Sequence, residues 1–146
     1  MDHVPLGRAW ALLFARGVLG LTFLMAGIYK VLEMGAMNHA KILFVEPYKD
    51  TFLPVWSLWF TGTTIPFVEL LAGALILVGF WTRPALIALG GVLVIVTFGH
   101  LLREPFYETN VHVIPRLILV LFILMLPTSD DKFSVRGLIT MLRGRS

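Results

Sequence analysis

Three charged residues interrupt long apolar stretches of the sequence. Arg16, Glu69 and Arg116 each stand in a run made almost entirely of aliphatic, aromatic and glycine residues. An ionised side chain near the centre of a bilayer costs about 2.5–3.5 kcal/mol, so such residues normally face a protein interior that holds a partner. Helix rise alone places the three at similar depths, and arginine side chains span the remaining difference. We therefore expect Glu69 to pair with Arg16, Arg116 or both in a buried charge cluster.

This expected cluster has two interpretations. The favoured one is a structural lock that fixes the register of the helices, because buried ion pairs often only specify packing. The alternative is a proton-relay or ligand site, because ionisable groups inside membranes are so often functional. Gly20 and Gly73 follow Arg16 and Glu69 by four residues. We expect them to leave space on the same helix faces for a long side chain or a ligand.

A second polar group lies near the ends of the third and fourth apolar stretches. Its members are His100, Tyr107, Asn110 and His112. A quinone headgroup needs a hydrogen-bond donor, a group that changes its protonation and an apolar slot for its tail, and these residues can supply the polar part. They also suit plain anchoring at the membrane boundary. Haem ligation by the two histidines is the weaker alternative, since neither has a recognisable partner for its second ring nitrogen. No metal site and no catalytic constellation is expected.

The composition is that of a membrane protein. Of the 146 residues, 58% are hydrophobic and 14% are charged, whereas soluble domains carry about 25% charged residues. There is no cysteine, which excludes thiol catalysis, disulfide exchange and thiolate ligation of metals. The net charge of +3 is spread over the flanks of the apolar stretches. Membrane lipids and other membrane subunits are therefore the expected partners, and nucleic acid is not.

The pattern predicts one all-α integral membrane domain over residues 1–146, built as a bundle of four transmembrane helices. The predicted spans are 9–32, 54–81, 84–102 and 110–127. A short helix in the first outer loop is expected to lie in the headgroup layer, and an amphipathic surface helix is expected over about 130–143. We interpret the first apolar stretch as a retained span and not a cleaved signal peptide, because Arg16 interrupts it.

Basic residues flanking the spans predict the orientation. Six of them lie on the side of the termini and four on the other. The six are Arg8, Arg83, Lys132, Arg136, Arg143 and Arg145, and the four are Lys30, Lys41, Lys49 and Arg103. Because cytoplasmic flanks carry the excess of lysine and arginine, both termini are expected in the cytoplasm.

Several short motifs resemble those of the DoxX family of small four-helix membrane proteins. They are Arg16-Gly17-Val18-Leu19-Gly20, Pro66-Phe67-Val68-Glu69 and Thr82-Arg83-Pro84-Ala85, with Lys30 and His100 at the family's other polar positions. The resemblance implies a four-helix bundle in a bacterial inner membrane. It also implies a quinone-linked redox role or that of an accessory or assembly factor.

Two functions remain open from the sequence. The first is a redox-associated or quinone-interacting accessory subunit of an inner-membrane complex. The second is a non-catalytic scaffold or assembly subunit with no bound cofactor. An accessory role is favoured over a self-sufficient enzyme, because no residue type present carries electrons unaided. A small transporter is disfavoured, since the sequence shows neither a repeat nor a second broken helix.

Overall fold

The computed structural model describes residues 6–104, 111 and 113–143, and in that part the chain is helical, without a strand. In chain order the elements are α1 (Leu6–Ile28), a π-helical turn (Tyr29–Glu33), α2 (Ala36–Ala40), a second π-helical turn (Lys41–Val45), α3 (Glu46–Tyr48), α4 (Val55–Val78), α5 (Thr82–Arg103), α6 (Ile114–Met125), a 3-10 turn (Thr128–Asp130) and α7 (Val135–Arg143).

Three helical segments are long and apolar enough to cross a membrane. They are Leu6–Glu33, Val55–Val78 and Thr82–Arg103. The prediction of an all-α membrane protein is therefore confirmed. The apolar helix α6 has 12 residues, which corresponds to about 18 Å against a hydrocarbon core of about 30 Å. The described residues thus give three candidate spans where the sequence predicted four.

Helices α1 and α4 pack with their backbones in contact at glycine. A Cβ atom on Gly27 would lie 2.5 Å from the backbone nitrogen of Leu70, and one on Gly20 would lie 2.9 Å from that of Leu77. A Cβ on Gly73 would overlap the backbone of Leu24. Small residues permit this approach. The expectation that Gly20 and Gly73 leave room for a ligand is wrong, because the backbone of the facing helix fills that space.

The remaining helices cover this pair with an apolar core. Leu12 and Leu19 of α1 pack with Leu86 of α5, and α6 adds Val120 and Ile123. Although α6 is short, two of its side chains are therefore part of the core of the bundle.

The link between α4 and α5 is a tight reversal. Gly79 has φ 72°, and the N–H groups of Gly79 and Phe80 donate to the carbonyls of Ile76 and Leu75 at 3.2 and 3.0 Å. This is a Schellman motif, for which the left-handed glycine is required. Trp81 also has a positive φ, 47°, and α5 begins at the next residue. The two helices consequently run antiparallel.

The loop between α1 and α4, which is called the first loop below, folds back onto α4. Its helical segments begin after Gly35, which has φ 83°. A Cβ on Gly62 of α4 would lie 2.7 Å from Cα of Ala40, so α2 packs on α4 at this glycine. The loop that was predicted to contain an interfacial helix is helical, and it forms one wall of the cavity described below.

Candidate functional site

Glu69 pairs with Lys30. The Lys30 Nζ atom lies 2.5 Å from Oε2 of Glu69, and the two side chains are 24% and 7% exposed. Lys30 lies in the π-helical turn that continues α1, and such turns are frequent at functional sites. The acid is thus neutralised inside the bundle, but by a lysine and not by an arginine as predicted.

Arg16 is the centre of a separate set of contacts. Its side chain is 1% exposed, and Nε lies 3.1 Å from Oδ2 of Asp131 at ion-pair distance. The guanidinium also donates to the carbonyls of Ile76 at 3.1 Å and Phe133 at 3.0 Å. The last carbonyls of a helix lack partners within it and carry partial negative charge. Arg16 therefore caps α4 and ties the segment after α6 to α1.

The predicted cluster of Arg16, Glu69 and Arg116 is not formed. Side chains of a helix tilt toward its N-terminus. Because α1 and α4 run in opposite directions, Arg16 and Glu69 lean apart, whereas Lys30 leans toward Glu69. Arg116 is half-buried on α6 and makes no ion pair with Glu69. Depths calculated from helix rise alone missed this tilt.

A cavity of about 510 Å³ lies at the end of the bundle opposite to Arg16. It is bounded by the helical first loop, the start of α4 and the end of α5. Its polar lining consists of Lys30, His39, Tyr48, Ser57, Thr61 and His100, with Arg103 and Glu104 beside them, and the rest of its wall is apolar. Sites for small molecules are typically about 300–1,000 Å³ and combine an apolar wall with a few polar groups. The cavity has both properties.

His39 lines this cavity, and its hydrogen bond to Gly62 defines which ring nitrogen carries the proton. Its Nδ1 atom lies 2.7 Å from the carbonyl oxygen of Gly62. A carbonyl only accepts, so Nδ1 carries the proton, and Nε2 of the neutral ring has a free lone pair. Burial lowers the pKa of His39, the nearby charge of Lys30 lowers it further, and the hydrogen bond to Gly62 opposes both. The ring is therefore neutral at physiological pH.

Tyr48 contributes a hydroxyl to the cavity, next to Gly99 of α5. A Cβ on Gly99 would lie 3.4 Å from the Tyr48 Oη atom, an ordinary contact distance, so the phenol lies against α5 at this residue. Burial raises the pKa of Tyr48, with Arg103 opposing and Glu104 reinforcing that change. Tyr48 stays protonated and keeps its donor.

Of the residues predicted for a quinone site, His100 lines the cavity. Tyr107, Asn110 and His112 lie outside the described residues. His39 and Tyr48 were not predicted from the sequence, since polar residues in a boundary loop suit anchoring equally well. Across residues 6–104, 111 and 113–143, no three histidine, aspartate or glutamate side chains gather as metal ligands do.

Comparison with known proteins gives one family. Residues 8–105, about two thirds of the chain, match the family model described as methylamine utilisation protein MauE. The matched part contains the Lys30–Glu69 pair and the cavity. Neither the curated proteins nor the solved structures gave a match. The resemblance to the DoxX family is wrong, since the matching model is that of a different family. The short glycine and proline motifs on which that resemblance rested are also typical of closely packed helices and tight turns in general. The chain belongs to the MauE family.

Proposed function

We propose that this chain is an accessory membrane protein of a methylamine-utilisation system and that its cavity holds the headgroup of a quinone. The description of the family suggests the process. The 510 Å³ cavity, which joins an apolar wall to grouped donors and acceptors, carries the proposal. Electrons would be exchanged with the quinone by a partner oxidoreductase, because the residues of this chain transfer none unaided.

The polar end of the cavity suits both forms of a quinone. The oxidised form has carbonyl oxygens, which accept hydrogen bonds from the Tyr48 hydroxyl or from N–H groups of Lys30 that Glu69 leaves unused. The reduced form has hydroxyls, for which Nε2 of His39 is an acceptor. A site with donors and an acceptor together discriminates a quinone from a plain hydrocarbon.

The apolar side of the cavity offers a path for the tail. Ile42 and Leu43 of the first loop and Ile95 and Phe98 of α5 line the cavity and are also exposed on the surface of the protein. An isoprenoid chain can therefore leave between the loop and α5 without crossing polar groups. Inside a membrane, that exit opens to the acyl chains.

The charges at the cavity do not select methylammonium as its ligand. The positive charges of Lys30 and Arg103 are balanced by Glu69, which pairs with Lys30, and by Glu104 in the lining. Both carboxylates therefore have a cationic neighbour, and no net negative charge attracts a small cation. The role that we propose is one of support to the system, not of holding methylamine.

We further propose four spans in a bacterial inner membrane, with cytoplasmic termini. Arg8 lies 3.5 Å from Asp130, and Arg16 contacts Asp131, so the start of α1 and the segment after α6 share one end of the bundle. Helix α6 must then return from the opposite end, where α5 finishes. The six-to-four excess of basic residues favours the cytoplasm for the shared end.

A photoreactive azidobenzoquinone with a short alkyl tail tests the ligand. The protein is reconstituted in nanodiscs, labelled, and digested for mass spectrometry. Leu43→Trp should fill the cavity and reduce labelling several-fold, whereas Leu71→Trp, an exposed leucine outside the cavity, should leave it unchanged. Labelling that is equal in both variants, or that is spread over the lipid-facing surface, would refute a quinone site.

The second function is that of a scaffold without a cofactor. In the most apolar window of each candidate span, 39%, 39% and 28% of residues are buried, so much apolar surface is left for lipid or for neighbouring subunits. Extraction of the protein from native membranes in mild detergent separates the two functions. A preparation free of quinone that carries partner proteins in fixed stoichiometry supports the scaffold.

A further inference from the structure

We propose that the end of the bundle where α1 begins binds the headgroup of an anionic phospholipid between Arg83 and Arg136, with the apolar face of α7 lying in the lipid. This surface lies opposite to the cavity, so the inference does not depend on the quinone site.

The start of α7 is held in place by the rest of the protein. The Ser134 hydroxyl accepts from the N–H of Gly137 at 3.0 Å and donates to the carbonyl of Asp131 at 2.6 Å, which is an N-terminal cap. Arg16 donates to the carbonyl of Phe133 at 3.0 Å. A Cβ on Gly137 would lie 2.7 Å from the carbonyl oxygen of Asp131. These contacts fix the direction in which the helix leaves the bundle.

Beyond its first turn α7 is exposed with an apolar side. At about 100° per residue, one face collects Val135, Leu138, Ile139 and Leu142, while Arg136 and Thr140 lie on the other. All six are exposed, and no other described element covers them. A short helix of this kind typically lies in the boundary layer of a membrane.

Aromatic residues place this helix at the level of the headgroups. The rings of Trp10 and Phe133 have centroids 4.8 Å apart, and both side chains are partly exposed. Trp81 in the nearby reversal is exposed as well. Tryptophan concentrates at the boundary between membrane and water. Because Phe133 directly precedes the cap of α7, the helix begins in that boundary.

Two arginines supply the charge for a lipid phosphate. Arg83 and Arg136 line one small cleft, together with Ser134 and Asp131, and neither forms an ion pair with another described residue. The negative charge of Asp131 is offset by Arg16 at 3.1 Å, so two positive charges remain. The cleft has a volume of about 30 Å³, enough for one phosphate oxygen, with the rest of the headgroup at its mouth. A phosphodiester accepts charge-assisted hydrogen bonds from both guanidinium groups.

The lack of cysteine in the chain allows a direct test by spin labelling. Leu138→Cys and Thr140→Cys are labelled with a nitroxide and placed in nanodiscs of phosphatidylcholine, with or without phosphatidylglycerol. The label at 138 should be reached by oxygen dissolved in lipid, and the label at 140 by an aqueous nickel chelate. Phosphatidylglycerol should reduce the mobility of the label at 138. It should also stay bound to the protein when the protein is extracted in detergent. Arg83→Gln and Arg136→Gln should each reduce that retention about fivefold, and Lys41→Gln, at the other end, should not.

Four results would overturn this inference. The first is a label at 138 exposed to water in both lipid mixtures. The second is an identical effect of inorganic phosphate in pure phosphatidylcholine, which would make the ligand a free anion. The third is immobilisation of the label that depends on protein concentration or on an added membrane protein, which would make α7 a protein contact. Retention that is equal in Arg136→Gln and the original protein would exclude the cleft itself.

Discussion

The Lys30 ammonium and the Glu69 carboxylate lie 2.5 Å apart, in an ion pair that joins the two helices packed most closely in the bundle. Lys30 also lines the cavity, so the pair connects the packed interior to the site that we propose for a ligand. If either partner is removed, the other is left as an uncompensated charge inside the bundle.

Glu69→Gln should therefore lower stability by about 2–3 kcal/mol, because removal of one partner strands a buried charge. The double variant Lys30→Met with Glu69→Gln should recover much of that loss. The measurement is thermal melting in one detergent. Lys41→Met is the matched control, since Lys41 is exposed. A double variant as unstable as the sum of the single ones would show that the two side chains are not coupled.

Arg16→Lys should destabilise the protein by about 2 kcal/mol although the charge is kept. A lysine ammonium cannot reach the carbonyls of Ile76 and Phe133 and the carboxylate of Asp131 together. The loss should be visible as faster limited proteolysis within 128–136. In the control Arg8→Lys, whose side chain is 58% exposed, the change should be within about 1 kcal/mol. Equal proteolysis of both variants would contradict the anchoring role of Arg16.

The stability of the first loop should fall in mild acid. The folded protein lowers the pKa of His39 below its ordinary value of 6.5, so the neutral ring favours folding. This contribution is complete above pH 6.5 and is lost as the pH falls from there through the lowered pKa, because the unfolded chain takes up the proton first. His39→Asn, which can still donate to Gly62, should show a flatter dependence of melting temperature on pH. Parallel curves for the two proteins would assign the pH dependence to other groups.

Gly73→Ala should separate α1 from α4. The added methyl group would overlap the backbone of Leu24, and overpacking of this kind costs about 1–3 kcal/mol. Gly91→Ala is the control, because a Cβ there meets nothing within 4 Å, and it should be neutral or mildly stabilising. Comparison of the two melting temperatures in the same detergent checks this packing. Similar melting temperatures for the two variants would mean that α1 and α4 move apart to accommodate the methyl group with little loss of stability.

Three candidate spans and the presence of buried charge could be predicted from the sequence, but the pairing could not. Apolar runs and breaks at Pro54 and Arg83 are local signals, and they gave the positions of α4 and α5 within a few residues. The partner of Glu69 depends on the direction in which side chains tilt in antiparallel helices. A depth calculated from helix rise does not include that direction. That tilt selects Lys30, which the sequence placed among the basic residues flanking the spans and not as a partner of Glu69.

The cavity was predictable only at His100. His39 and Tyr48 reach it because the first loop folds back on α4 at Gly62, and no spacing in the sequence indicates that long-range contact. Asp131 was missed for a related reason. It follows the fourth apolar stretch in a polar segment, where acidic residues ordinarily face water.

The contacts of Arg16 also have a consequence for how the protein is made. Its acceptors lie 60 residues later in Ile76 and 117 residues later in Phe133. During synthesis α1 must therefore enter the bilayer before the guanidinium of Arg16 has its partners. The favourable transfer of the neighbouring leucines and phenylalanines has to offset the cost of that charge. The guanidinium meets Asp131 and the carbonyl of Phe133 only after α6 has been synthesised, so this part of the bundle is completed long after α1 has been made.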